Sequence, residues 1–160
     1  SIEPAAFHEW MGGRADSDIF VVQPVAEVME GFLKQYDTIN VVYCENDNEA
    51  FGAIEAIEAA GKTVGSDIRS GEIMVVSFDG VNEKAVQYVA EGKITCIAEC
   101  NPLHGPRVQA LIDALEAGEK PEKFSYVDEQ FFSAYDEITL LMVDGKDYPV
   151  SVLTEESAQR

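Results

Sequence analysis

The sequence predicts an α/β domain built on a doubly wound, mainly parallel sheet with helices on both faces. Three observations lead there. Short apolar runs rich in β-branched residues recur at 39–44 (INVVYC), 73–78 (IMVVSF) and 94–99 (ITCIAE). Around them, apolar residues fall into the period of an amphipathic helix. Each helical stretch that follows one of these runs closes on a glycine: Gly61, Gly92 and Gly118. Strand–helix alternation with short connections is the pattern of a parallel sheet joined by right-handed crossovers.

In chain order, Val25, Val28, Met29, Phe32 and Leu33 share one helical face. The run 39–44 suits a strand buried on both faces of a parallel sheet. The next stretch, NDNEAFGAIEAIEAAG, puts Ala50, Ile54 and Ile57 on one side. A second strand at 73–78 precedes a helix carrying Val81, Ala85, Val86 and Val89. A third strand at 94–99 precedes a helix carrying Val108, Leu111, Ile112 and Leu115.

The ends are less regular. Residues 1–19 read as an irregular lead-in with a slight helical pattern from Phe7 to Met11, and 20–132 as the main body. FSYVDEQFF (124–132) looks extended. Residues 133–160 read as a hairpin-like extension, in which ITLLMV and YPVSVL flank the turn signal Asp144-Gly145, and then a frayed tail, TEESAQR.

Composition narrows the function. The 160 residues suit one domain, and 46% hydrophobic content is enough for a packed core. Thirty acidic residues stand against eleven basic ones, a formal net charge of -19. That surface repels phosphate backbones and anionic membranes, so no nucleic acid is expected as a partner. No apolar run approaches the ~20 residues of a membrane-spanning helix. The chain begins at Ser1 with neither an initiating Met nor a secretory leader, which suits a fragment. Cys44, Cys96 and Cys100 lack zinc-knuckle spacing, and His8 and His104 lie far apart, so neither a metal nor a cofactor is expected. The cysteines read as small buried hydrophobes.

In an open parallel sheet, ligands bind outside the carboxyl ends of the strands. Three loops lie there: Cys44-Glu45-Asn46-Asp47, Phe78-Asp79-Gly80 and Glu99-Cys100-Asn101-Pro102. Asn46, Asp79 and Glu99 offer planar acceptors, and Asn46 also donates, a set suited to bidentate hydrogen bonding of adjacent hydroxyls. Each has a plainer role as well. Asp47 or Asn46 suits the cap of the following helix, Asp79-Gly80 suits a turn, Glu99 suits a solvated strand end, and Asn101-Pro102 suits the start of the next helix. Enzyme signatures are missing: no GxGxxG, phosphate-binding loop, nucleophile elbow or HExxH occurs. Asp79 resembles a receiver-domain phosphoacceptor in position, with Glu45 and Asp47 as the acidic pair, but no Lys closes the strand ITCIAE.

At these same loops the sequence resembles type I periplasmic sugar-binding proteins of ABC transporters. INVVYCENDNEAFGAIEAIEAAGK is similar to their segment running from an apolar strand through Asn-Asp into an alanine-rich helix that ends on Ala-Gly. IMVVSFDG resembles their strand ending in Asp-Gly. ITCIAECNPLHGP resembles the Cys-Asn-Pro variant of the galactofuranose-binding branch, whose ribose-binding relatives carry Gln where Glu99 stands. The match covers about residues 20–132.

The resemblance implies the C-terminal lobe of a two-lobed, extracytoplasmic solute-binding protein that is not an enzyme. The implied partners are a pentose or hexose sugar, the membrane permease of an ABC transporter and the N-terminal lobe of the same protein. A homodimer would cover the face that an absent lobe leaves open. The implied ligand-binding residues are Asn46, Asp79 and Glu99, with Asn101 in the third motif and Phe20 at the position of a stacking aromatic. The family also supplies an Arg near the start of this lobe, for which Arg14 is the nearby candidate. Two other readings share the pattern: the effector half of a LacI-type, sugar-responsive transcription regulator, and a flavodoxin-like or receiver-type domain.

Overall fold

The computed structural model describes residues 25–154 and 156. Four helices and six strands follow in the order α1 (Val25–Gln35), β1 (Val41–Tyr43), α2 (Asp47–Ala59), β2 (Met74–Asp79), α3 (Glu83–Ala90), β3 (Cys96–Glu99), α4 (Gly105–Glu116), β4 (Phe131–Ser133), β5 (Leu140–Val143) and β6 (Lys146–Val152). The lead-in 1–19 and most of the tail lie outside the described residues.

The strands form one sheet in the order β1-β2-β3-β4-β6-β5. The three expected strands pair in parallel, Val41 opposite Met74 and Val76 opposite Cys96. The sheet is mixed and mostly parallel, with β4 antiparallel to β3, β6 parallel to β4, and β5 antiparallel to β6. Of FSYVDEQFF, only Phe131 and Phe132 enter a strand. The expected hairpin is present: Asp144 and Gly145 have φ of 51° and 78°, the doubly positive pair of a type I′ turn between β5 and β6. Its second strand is stitched into the sheet beside β4.

The glycine signals mark helix ends. After α2, Gly61 has a φ of 71° and donates its N–H to the Glu58 carbonyl, while Lys62 N–H reaches the Ile57 carbonyl. This is the Schellman arrangement, which satisfies carbonyls the helix leaves open. The same pair of bonds closes α3 at Gly92 and Lys93 and α4 at Gly118 and Glu119.

One core holds the assembly. Ile54 and Ile57 of α2 and Val89 of α3 pack with Ile73, Val75, Ile94 and Ile97, each under 2 % exposed. Fully burying a side chain of this size contributes about 1.5–3 kcal/mol. Met29 of α1 joins the same cluster. Where α1 meets α2, a Cβ on Gly52 would lie 3.3 Å from Val25 and Ala26, so this glycine permits the close approach.

One sequence expectation is corrected. β1 is not buried on both faces: Val41 is 47% exposed and Tyr43 62%. The right-handed crossovers β1-α2-β2 and β2-α3-β3 advance in one direction across the sheet, so both helices lie on one face. The other face keeps Met74, Val76, Phe78, Cys96 and Ala98 half-buried. The apolar stripe Val108, Leu111, Ile112 and Leu115 forms on α4 but stays between 42% and 61% exposed, and no residue of that helix is buried.

Candidate functional site

Asn46 is the N-cap of α2. Its extended backbone (φ -157°, ψ 168°) lets the side-chain oxygen accept the Glu49 N–H at 3.0 Å. Glu49 reaches back to accept the Glu45 N–H at 2.9 Å, close to a capping box. The cap uses the Asn46 oxygen and not its amide nitrogen.

Asp47, the first helical residue, is only 3% exposed. Its Oδ1 accepts the Ser77 hydroxyl at 2.9 Å and its Oδ2 accepts the Gly80 N–H at 3.0 Å. It therefore joins the first loop to the end of β2 instead of capping its own helix. Burial pushes its carboxyl above the ordinary value. The bonds from Ser77 and Gly80 pull the other way, and the Asp79 charge adds to the rise.

Asp79 ends β2 with a φ of 121°, a backbone region that side chains rarely adopt. Gly80 follows at 73°, with Phe132 so close that a Cβ would sit 3.1 Å from its ring. Asp79 and Glu99 are register partners at the ends of adjacent parallel strands. The Glu99 backbone N–H donates to the Gln130 carbonyl at 2.9 Å, and its Oε2 accepts the Gln130 N–H at 3.0 Å. The Asn101 N–H donates to Glu129 at 3.2 Å, and the Asn101 side-chain oxygen accepts the Leu103 N–H at 2.9 Å. Asn101 thus builds a local turn, and α4 starts only at Gly105 with Pro106 in its first turn. The expectation that Asn101-Pro102 opens that helix fails because the turn intervenes.

Four of the five candidate residues therefore lie along the carboxyl edge of β1, β2 and β3: Asn46, Asp79, Glu99 and Asn101, all half-buried. Phe20, with Arg14, lies outside the described residues. Sequence reasoning missed Ser77, Glu129 and Gln130. Ser77 carried a signal in retrospect, as the one hydroxyl in the apolar run IMVVSF. Among the described residues no cluster of His, Cys, Asp and Glu has the geometry to hold a metal ion. A cavity of ≈ 440 Å³ lies at the opposite end of the sheet, where Met74 and Cys96 begin their strands beside Ser133, Leu141 and Val150. It is largely apolar and shares no residue with the candidate edge.

Known proteins provide the comparison. The family described as periplasmic binding proteins and sugar binding domain of LacI family matches residues 22–118. The chain is 34% identical over 116 residues to the galactofuranose-binding protein YtfQ of Escherichia coli, covering 70% of this chain and 35% of that protein. A Mycobacterium smegmatis structure in complex with β-D-fucofuranose is 39% identical, with a TM-score of 0.58, over 68% of this chain and 34% of the other. The periplasmic binding protein component of an arabinose ABC transporter from Shewanella, bound to α- and β-L-arabinofuranose, is 31% identical with a TM-score of 0.53, over 74% of this chain and 40% of the other. The chain spans about a third of the length of the curated relatives it matches. Three ordered motifs, the parallel sheet and these matches agree: the chain belongs to the family of periplasmic binding proteins and LacI-type sugar-binding domains.

Proposed function

We propose that the chain is a non-enzymatic, ligand-binding lobe of an extracytoplasmic protein that binds a sugar and delivers it to the permease of an ABC importer. The observation that carries this reading is the register pairing of Asp79 with Glu99 at the strand ends, with Asn46 heading α2 beside them. Two carboxylates and an amide offer acceptors and donors for adjacent hydroxyls, the set with which a polyol is held. In this reading the main body is 20–132, and Phe20 supplies an apolar face to the ring.

A furanose is the favoured ligand class, because the solved structures above 30% identity whose descriptions name a sugar carry fucofuranose, galactofuranose and arabinofuranose; ribose import binding proteins at 32–33% identity make ribose the competing ligand. Binding closes this lobe on a second one, and contacts from both favour the closed state. Calorimetry on the full-length protein with pentoses and hexoses, each in furanose- and pyranose-locked form, tests the proposal. Micromolar binding of a furanose is expected. Binding of none of these sugars would reject it.

A further inference from the structure

The peptide unit between Asp79 and Gly80 is held at both ends. Its N–H donates to Asp47 Oδ2 at 3.0 Å, and its carbonyl accepts the Cys100 N–H at 2.8 Å. The first comes from the loop after β1 and the second from the loop after β3, so this one peptide joins all three loops of the edge. The Ser77 hydroxyl occupies the other Asp47 oxygen at 2.9 Å and fixes the plane of the carboxylate. Asp79 stands immediately beside the clamped peptide, with φ at 121°. Backbone held in such a region persists only where its surroundings over-determine it. Here those surroundings are a buried carboxylate 32 residues earlier in the chain and an amide 21 residues later, both fixed by the sheet.

We propose that Asp47 is a positioning residue for ligand binding: by anchoring the Gly80 amide it sets the direction in which Asp79 presents its carboxylate. This rests on the sugar-binding reading of the edge. Asp47 does not reach the ligand, since both its oxygens are engaged and it is 3% exposed. Its geometry also separates this role from capping, because its partners lie on β2 and the following loop, not on α2.

Asp47→Asn tests the assignment with almost no change of shape. An amide can keep the Ser77 bond through its oxygen, but it then turns an N–H toward the Gly80 N–H, donor against donor. In the full-length protein, D47N is expected to weaken binding of the favoured furanose about 10- to 100-fold. Combined with Asp79→Asn, it should cost nothing beyond the D79N loss, because both changes remove one carboxylate contact. The Gly80 amide resonance in a nitrogen-15 spectrum without sugar should move upfield in D47N as its charged acceptor disappears. A purely structural role predicts instead that the two losses add in full. Full additivity, an unchanged dissociation constant in D47N, or an unmoved Gly80 resonance each overturns the assignment while leaving the sugar reading intact. A wild-type protein that binds no sugar overturns both.

Discussion

Glu99 and Gln130 exchange two hydrogen bonds of opposite sense: the Glu99 N–H to the Gln130 carbonyl at 2.9 Å, and the Gln130 N–H to Glu99 Oε2 at 3.0 Å. Beyond the register pair Ala98 opposite Phe131, the backbone supplies one of these bonds and the Glu99 side chain supplies the return bond. Glu99→Gln keeps an acceptor oxygen for that bond, whereas Glu99→Ala removes it. Chemical unfolding should show a loss of about 1 kcal/mol for Ala and little change for Gln, the bond being half-exposed. Equal losses for both variants would mean that charge, not the bond, fixes the strand.

Asp79 combines strain with proposed function, and the two separate by substitution. At a φ of 121°, glycine relieves a backbone cost of about 1–3 kcal/mol. Asp79→Gly should therefore raise the melting temperature or leave it unchanged, even though a side chain is lost. Asp79→Ala keeps the strain and removes the carboxylate, so about 1–3 kcal/mol of sugar binding should disappear by calorimetry in the full-length protein. Glycine should lose at least as much.

Cys44 gives an alkaline signature. Burial, reinforced by the Glu49 charge, pushes its thiol up from 9.0 to about 12. The folded chain then holds this proton at a pH where the unfolded chain has released it. Stability from this group is fully present below pH 9 and is lost as pH rises toward about 12. Urea unfolding between pH 8 and about 11 should lose stability more steeply in wild type than in Cys44→Ala. The same burial predicts that iodoacetamide at pH 8 labels Cys44 only after unfolding, read by mass spectrometry.

The core and α4 make a matched contrast. Ile97 is fully buried between β3 and the helices, so Ile97→Ala should cost about 2–5 kcal/mol. Leu111 is 42% exposed on a helix with no buried residue, so Leu111→Ala should cost far less, within about 0.5 kcal/mol. Comparable losses would show that α4 packs against the sheet in solution.

That contrast marks what the sequence carried. The three parallel strands, the helix ends at Gly61, Gly92 and Gly118, and the Asp144-Gly145 turn are local: each is written in a run or a dipeptide that fixes its own backbone. The α4 stripe was legible as a helix face, but its burial depends on what lies opposite, and periodicity does not name a partner. The reversal at β4 and the insertion of β6 beside it depend on Phe131 meeting Ala98 and Val150, contacts between distant segments. In the candidate edge, Asn46 was visible as a cap. The bonds of Asp47 across to β2 were not, because its partners Ser77 and Gly80 lie 30 and 33 residues away.

The last expectation concerns the chain alone, and it follows from the number of groups it offers. Asn46 has spent its oxygen on α2 and Glu99 one oxygen on Gln130, so Asp79 carries the largest uncommitted share of the edge. About three net hydrogen bonds of 0.5–1.5 kcal/mol each do not offset the cost of immobilising a small polar ligand in competition with water. The 160 residues should therefore fold yet bind sugars at millimolar concentration or more weakly. The edge also exposes apolar surface where a second lobe would sit, Tyr43 at 62%, Val81 at 59% and Leu103 at 77%. Self-association that covers this face is the expected consequence, concentration-dependent in light scattering and reduced by Leu103→Lys, against the electrostatic resistance of a formal net charge of -19. Salt should strengthen the association by screening that repulsion. Micromolar sugar binding by a monomer would mean that these loops form a complete site by themselves, and the requirement for a second lobe would fall.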